Sequence, residues 1–407
     1  MSDEFKKLKE FWRLEERRQR ETISLIPSEN FASKLVRQAM GSVLTNKYSE
    51  GYPGRRYYPG NDNYDAIETL CQELALKVFK LSPQKWGANV QPYSGSPANL
   101  AVYLALLNPG DTLMGMKLAA GGHLTHGHKV SASGLVFKSV QYGVNEYGRL
   151  DYAEAAKKAE LYRPKIIVCG STAYPRQIDF KKFSEIAKTA GAYLLADIAH
   201  IAGLIASGNH PSCFPWCDAA MFTTHKNFRG PRGAVIIARN ELIDKINRAV
   251  FPVLQGGPHN NQILAKALAL AQALEPAYKK EQTQVVKNAA VLARELKSLG
   301  CDLFTDGTDN HLMLMDLSKV GIDASLAEKQ LESVGILANR NSLPHDDKPF
   351  KPSGLRLGTP SVTARGMKER EMKKIARLIH RALQNKEDSG KIKSEVKKLA
   401  VKFAFNG

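Results

Sequence analysis

The stretch Lys165 to His200, KIIVCGSTAYPRQIDFKKFSEIAKTAGAYLLADIAH, decides how this chain is read. Lys165 to Cys169 is a short apolar run, and Tyr193 to Ala196 is another. Between them, Phe180 to Ala190 carries apolar residues at helical spacing. Two short apolar runs joined by a helix describe a strand–helix–strand unit whose strands lie parallel in one sheet. The same alternation extends in both directions. Thr112 to Met116, Leu135 to Val140, Ala219 to Thr223 and Ala234 to Ala238 read as further strands, and Tyr152 to Leu161 as a further intervening helix. This implies an α/β fold with a mostly parallel sheet covered by helices. Ligands of such sheets gather at the carboxyl ends of the strands.

Outward from this centre, the segment Ile26 to Tyr58 is rich in Ser, Asn, Gly, Pro and Tyr and reads as loop. Helices are expected over Tyr64 to Phe79, where Ile67, Leu70, Leu74 and Val78 recur, and over Ala98 to Leu107, after the turn Ser94-Gly95-Ser96. A long helical stretch from Asn260 to Leu299, broken near Pro276, leads to a smaller C-terminal domain of mixed α and β character. That domain holds a strand at Leu312 to Leu317, a helix at Ala324 to Ser333, and helices after Ala364. Three segments follow: an N-terminal arm and helix over 1–50, a large domain over 51–275, and a smaller one over 276–407.

The 407 residues are 43% hydrophobic and 24% charged, ordinary values for a globular protein. The 58 Lys and Arg against 40 Asp and Glu, giving +18, are less ordinary. Such a field attracts polyanions or anionic metabolites. The dense runs Lys6 to Arg20 and Lys386 to Lys402 interleave acids at helical spacing, so they read as solvated amphipathic helices, with a nucleic-acid surface as the alternative. The charged N-terminus lacks a signal peptide's apolar run, and no stretch approaches the roughly 20 apolar residues that cross a bilayer. Five scattered cysteines do not form a disulfide framework. A reducing, cytoplasmic setting is expected.

Two strand ends carry chemistry. Asp197 follows apolar Tyr193 to Ala196, and a carboxylate there needs a cationic or hydrogen-bonding partner. A pyridinium nitrogen is one such partner, and a helix cap is the other reading. Lys226, in Thr223-Thr224-His225-Lys226, again directly follows an apolar strand. It is either a surface loop lysine or an amine partly buried for covalent work, with hydroxyls, His225 and Arg232 near a phosphate. Ser94-Gly95-Ser96 opens a helix whose N-terminus suits a phosphate, although any capped turn looks similar. The three histidines of GGHLTHGH (residues 121–128) lack a neighbouring carboxylate or thiolate to complete a metal site. His210 with Cys213 and Cys217 reads as structural. No metal is expected.

Together and in this order these motifs resemble the serine hydroxymethyltransferases, a pyridoxal-phosphate (PLP) family of the aspartate-aminotransferase-like fold, with a seven-stranded-type sheet. The resemblance runs from about Leu25 to Pro360. It rests on Leu44 to Gly54 (LTNKYSEGYPG), Asn89 to Asn99 (NVQPYSGSPAN), Gly121 to Gly127 (GGHLTHG), Leu195 to Gly203 (LADIAHIAG), Phe251 to Asn260 (FPVLQGGPHN) and Gly307 to Leu312 (GTDNHL).

The resemblance implies that Lys226 holds the cofactor as a Schiff base, Asp197 pairs with its ring nitrogen, and His123 stacks on the ring. Thr172 and His200 would border the phenolic oxygen, and Ser94, Gly95, Ser96 and His225 the phosphate. Tyr48 and Gly257 would reach the phosphate from a second subunit, which implies a homodimer with shared sites and leaves a tetramer open. Arg356, Ser28 and Tyr58 would hold the substrate carboxylate. Glu50 would handle the proton on the substrate hydroxyl, and Leu118, Leu124 and Asn341 would line the site of tetrahydrofolate, the co-substrate. The implied reaction is reversible one-carbon transfer from serine to tetrahydrofolate. The basic surface would draw a polyglutamylated folate. The chain departs from the family pattern at Pro27, Pro59 and Asn227. A PLP aldolase without a folate pocket and a non-catalytic RNA-binding relative are the rivals; Glu50 with Asn341 argues against the first, and Lys226 against the second.

Overall fold

The central apolar runs assemble into one seven-stranded sheet in the computed structural model, which describes residues 2–346 and 351–405. Helix α1 (Asp3–Glu21) opens the chain and α2 (Asp62–Val78) leads into the sheet. The strands in chain order are β1 (Trp86–Asn89), β2 (Thr112–Met116), β3 (Lys138–Tyr142), β4 (Ile166–Gly170), β5 (Tyr193–Asp197), β6 (Ala219–Thr223) and β7 (Ala234–Arg239). Their spatial order is β1-β7-β6-β5-β4-β2-β3. Strands β2 to β6 pair in parallel, joined by crossover connections that carry helices. Strand β7 is antiparallel to both β6 and β1.

The connecting helices are α3 (Gly95–Leu106), α4 (Tyr152–Tyr162) and α5 (Phe180–Ala190), and α6 (Asn260–Ala273) follows the sheet. Every residue of β4 and β6 is buried. Leu113, Ile166, Val168, Leu195, Met221 and Ile236 pack with Ala98, Ala101 and Val102 of α3. Each large side chain of that kind stabilises the fold by about 1.5–3 kcal/mol.

Two details of the sheet differ from the sequence reading. The strand expected over Leu135 to Val140 begins only at Lys138, because Ala132–Val136 coils into a short helix. Leu135 there is exposed, so an apolar residue did not mark a buried strand. Strand β1 escaped the reading because it is four residues long and includes Gly87 and Asn89. Gly87 admits Ile243, whose Cγ1 stands 2.8 Å from where a Cβ would be.

The chain divides into two compact units, Ala32–Thr283 and Met1–Phe31 with Gln284–Gly407. The second unit has its own antiparallel sheet of β8 (Asp302–Leu303), β9 (Leu312–Asp316), β10 (Asn339–Asn341) and β11 (Gly354–Gly358), in the order β8-β9-β11-β10. The N-terminal segment joins it where Ile23–Ser24 pairs in parallel with Ile336–Leu337. Its helices are α7 (Pro276–Ser298), which begins in the first unit, α8 (Ala324–Ser333), α9 (Glu369–Gln384) and α10 (Ser389–Lys402). Leu292, Leu296, Met313, Leu331, Ile375 and Ile379 form its core. Among the described residues no helix is long and apolar enough to cross a membrane.

Candidate active site

The parallel strands deliver their chemistry at their carboxyl ends. Thr223 closes β6, and Lys226, three residues on, donates from Nζ to its hydroxyl at 2.8 Å. The Thr224 hydroxyl donates to the Pro231 carbonyl at 2.7 Å and fastens the turn beyond. The Asn227 amide donates to the His200 carbonyl at 3.1 Å. The lysine turn is thereby tied to the loop that follows β5.

Asp197 closes β5 and is buried. Its Oδ2 accepts from Asn99 at 2.9 Å and lies 3.0 Å from His126 Nε2, while Oδ1 accepts from the Ala199 N–H at 3.2 Å. Burial works to raise this carboxyl. The hydrogen bond and charge of His126, the charge of His123 and the Asn99 amide outweigh it and hold the group well below the usual carboxylate range. A fixed, ionised acid is suited to a protonated ring nitrogen. Gly170, paired in register with Asp197, has φ 148, and a side chain there would strike the Asp197 carbonyl.

The His123 loop is held by the same amide. Asn99 Nδ2 also donates to the Thr125 hydroxyl at 2.9 Å, and that hydroxyl lies 2.8 Å from His123 Nδ1. Burial lowers the His123 pKa and favours its uncharged form, against the pull of the Asp197 charge. The Thr172 N–H donates to the Gly121 carbonyl at 2.7 Å, joining the loop after β4 to this one.

Ser94 stands at the N-cap of the 12-residue α3 without making a side-chain cap bond, which leaves its hydroxyl and the helix's first N–H groups for a ligand. Gly95 lies so close to β6 that a Cβ would stand 2.9 Å from Thr223 Cγ2. The adjoining Ser96 lies in the first turn. His225 Nδ1 is buried without a hydrogen-bond partner, and its Nε2 lies 3.2 Å from Arg232. Burial, with the charges of Lys226 and Arg232, pushes this imidazole down to about 3. A phosphorylated pyridine aldehyde fits these groups. The cap offers donors to its phosphate, the orphaned His225 nitrogen needs a partner, Asp197 suits its ring nitrogen, and Lys226 suits its aldehyde.

Tyr48, Glu50, Tyr58 and Gly257 gather in the same unit, where the hydroxyl of Tyr93, the residue before Ser94, donates to the Gly257 carbonyl at 2.6 Å. The Tyr48 ring lies 3.3 Å from where a Cβ on Gly257 would stand, and meets Tyr58 edge-on at 5.0 Å between centroids. A Glu50 oxygen stands 3.3 Å from the equivalent point on Gly256. Arg56 donates to the carbonyls of Ser49 and Gly51, each at 2.9 Å, and so brackets Glu50. Leu118 and Leu124, on either side of His123 in sequence, are 39% and 42% exposed. Ser28, Asn341 and Arg356 belong to the second unit. Arg356 lies buried on β11, its Nε donating to Asn339 at 3.1 Å, and burial lowers it to about 10, so it stays charged at neutral pH. Asn341 lies two residues along β10 from Asn339. The turn holding Ser28 packs on the end of β11, since Pro27 Cα is 2.8 Å from where a Cβ on Gly358 would stand.

Sequence reasoning passed over Asn99, Thr125 and His126. The signal for His126 was its place three residues after His123 in GGHLTHG, but nothing local links it to Asp197. Among the described residues no group of three or more His, Cys, Asp or Glu is placed to hold a metal, and all five cysteines are free thiols.

A sequence profile described as serine hydroxymethyltransferase matches residues 1–379. The chain is 55% identical over 366 residues to the serine hydroxymethyltransferase of Acidothermus cellulolyticus, covering 89% of this chain and 85% of that one. It is 52% identical over 397 residues to that of Desulfotalea psychrophila, covering 97% and 92%. A relative from Schizosaccharomyces pombe named as cytosolic is 49% identical over 394 residues, covering 92% and 84%. With this similarity spanning nearly its whole length and the seven-stranded sheet delivering Asp197 and Lys226 to one sheet end, the chain belongs to the serine hydroxymethyltransferase family, PLP-dependent enzymes of fold type I that use tetrahydrofolate as co-substrate.

Proposed function

We propose that the chain catalyses reversible transfer of a one-carbon unit from L-serine to tetrahydrofolate, giving glycine and 5,10-methylenetetrahydrofolate. The observation that carries the reading is the pair of strand ends. Lys226 is held by Thr223, and an ionised Asp197 is pinned by Asn99 and His126. Bound PLP supplies an electron-poor ring that accepts the electron pair left when a bond at the substrate's α-carbon breaks.

The chain's own residues do the rest. Lys226, held by Thr223, would secure the cofactor through its aldehyde and would release it to the substrate amine. Asp197 keeps a proton on the ring nitrogen. His123 would stack on the ring, and Thr172 and His200 would border its phenolic oxygen. Ser94, Gly95, Ser96 and His225 hold the phosphate. Arg356 would fork onto the substrate carboxylate, because a planar guanidinium fixes two oxygens at once, and Ser28 and Tyr58 would be further carboxylate-side contacts. Glu50 moves the proton at the serine hydroxyl. Leu118, Leu124 and Asn341 receive the pterin.

The enzyme works as a homodimer in which Tyr48 and Gly257 reach the phosphate of the neighbouring subunit's cofactor. Helix α1 supports this reading. It buries none of its residues and exposes Phe5, Leu8, Phe11 and Trp12, an apolar face of the kind an interface covers. A cytoplasmic setting is part of the same proposal.

Reduction of the PLP-loaded protein with borohydride, followed by peptide mass mapping, tests the assignment. The pyridoxyl label is expected on Lys226. Its appearance on another lysine, or no visible-range absorbance before reduction, would overturn the reading.

A further inference from the structure

Lys266 of α6 is fully buried, and its surroundings are of an unusual kind for a lysine. Its three ammonium donors meet three backbone carbonyls, Val90 at 2.6 Å, Pro92 at 3.0 Å and Ala234 at 3.1 Å. A buried ammonium is costly unless every donor is used, and here every donor is. Burial nevertheless lowers the group to about 8.

The three carbonyls belong to the two segments that carry the cofactor site. Val90 and Pro92 lie between β1 and Ser94, and Pro92 also accepts the Ala234 N–H at 3.1 Å. Ala234 starts β7, directly after the turn that follows Lys226. A side chain on Gly233 would collide with Lys266 Cε, so that turn is pared to a bare backbone where the lysine passes. On its other side, the Gly233 carbonyl accepts from the N–H of Thr224 at 3.0 Å and from its hydroxyl at 3.2 Å. Thr224 lies between Thr223 and Lys226. One ammonium therefore holds the approach to the Ser94–Ser96 cradle at a fixed distance from the turn bearing Lys226.

We propose that Lys266 is a positioning residue for the cofactor phosphate, locking the Ser94–Ser96 cradle to the Lys226 turn and so setting the preference for phosphorylated over unphosphorylated cofactor. The inference rests on the reading that this cradle holds the phosphate and Lys226 the aldehyde. Its physical basis is preorganisation. A cradle already in place spends none of the ligand's binding energy on ordering two loops.

The test measures dissociation constants of the apo-protein for PLP and for pyridoxal, below the unfolding temperature, in the native chain and in Lys266→Met. PLP binding is expected to weaken by roughly tenfold or more, the scale of one lost hydrogen bond at the cradle, while pyridoxal binding stays within about twofold. Equal weakening of both ligands marks a merely structural lysine and overturns the inference, as does no change in either. Gly233→Ala, which presses on Lys266 Cε, gives the same readout if Lys266→Met does not fold. An unchanged ratio there also overturns it. A native chain that binds PLP no better than pyridoxal, or carries the borohydride label elsewhere than Lys226, sinks the site reading itself. A selective native chain with an unchanged ratio in the variants sinks only the role of Lys266.

Discussion

Replacing Asp197 by asparagine keeps the shape of the side chain and removes its charge. The native carboxylate takes hydrogen bonds from Asn99, His126 and the Ala199 N–H. An amide has a single acceptor oxygen. With that oxygen toward Asn99 and His126, its NH2 faces the Ala199 N–H; reversed, it faces two donors. At least one bond to a charged acceptor is lost, worth about 1.5–3 kcal/mol. Relief from burying a charge offsets part of this, so the stability of the apo-protein should shift by less than about 2 kcal/mol. The cofactor has no such offset. It loses the ionised partner of its ring nitrogen, and about 1.5–3 kcal/mol is a ten- to hundredfold loss of affinity. Urea unfolding of the apo-protein and equilibrium dialysis with PLP separate the two effects. Turnover should stay depressed at saturating PLP, because a ring without a held proton is a poorer electron acceptor. PLP affinity and turnover both within twofold of the native values would refute the reasoning.

In Gly95→Ala the new Cβ lands 2.9 Å from Thr223 Cγ2. Overpacking of about 1–3 kcal/mol should appear as a lower melting temperature and weaker PLP binding, and a variant indistinguishable from native by calorimetry and dialysis contradicts the close packing. Arg356→Lys replaces a fork by a point charge, so KM for serine should rise roughly tenfold or more with the PLP absorbance unchanged; steady-state kinetics beside a spectrum decide this. For Lys266, held at about 8 when folded against an ordinary value of 10.5, the unfolded chain binds the extra proton between those pH values. Its burial therefore costs stability fully below pH 8, and that cost falls as pH rises toward 10.5, by up to about 3 kcal/mol. Urea midpoints at pH 8 and 10 should show this rise in the native chain relative to Lys266→Met, and parallel trends in both proteins contradict it.

The fold was legible where burial on both faces leaves an unbroken apolar run. Thr112–Met116 and Ala219–Thr223 were read to the residue, and Asp197 and Lys226 were placed at or just beyond strand ends from the sequence alone. What could not be read was held by contacts without local signature. Asp197 takes His126 from 71 residues away and Asn99 from 98. Ile23 pairs with Ile336 at the far end of the chain. Strand β1 carries too few apolar residues to announce itself, and Leu135, apolar but exposed, marks a short helix rather than a strand. Lys266 looks on sequence like any helical lysine in an alanine-rich run. Only the convergence of three carbonyls at its Nζ shows otherwise.

The central claim is tested most directly by incubating the PLP-loaded protein with serine labelled at its β-carbon, with and without tetrahydrofolate. The account predicts that the label appears in 5,10-methylenetetrahydrofolate alongside an equal amount of glycine, and that tetrahydrofolate strongly accelerates the reaction. Turnover of serine that gains nothing from tetrahydrofolate, or no turnover at all, would contradict it.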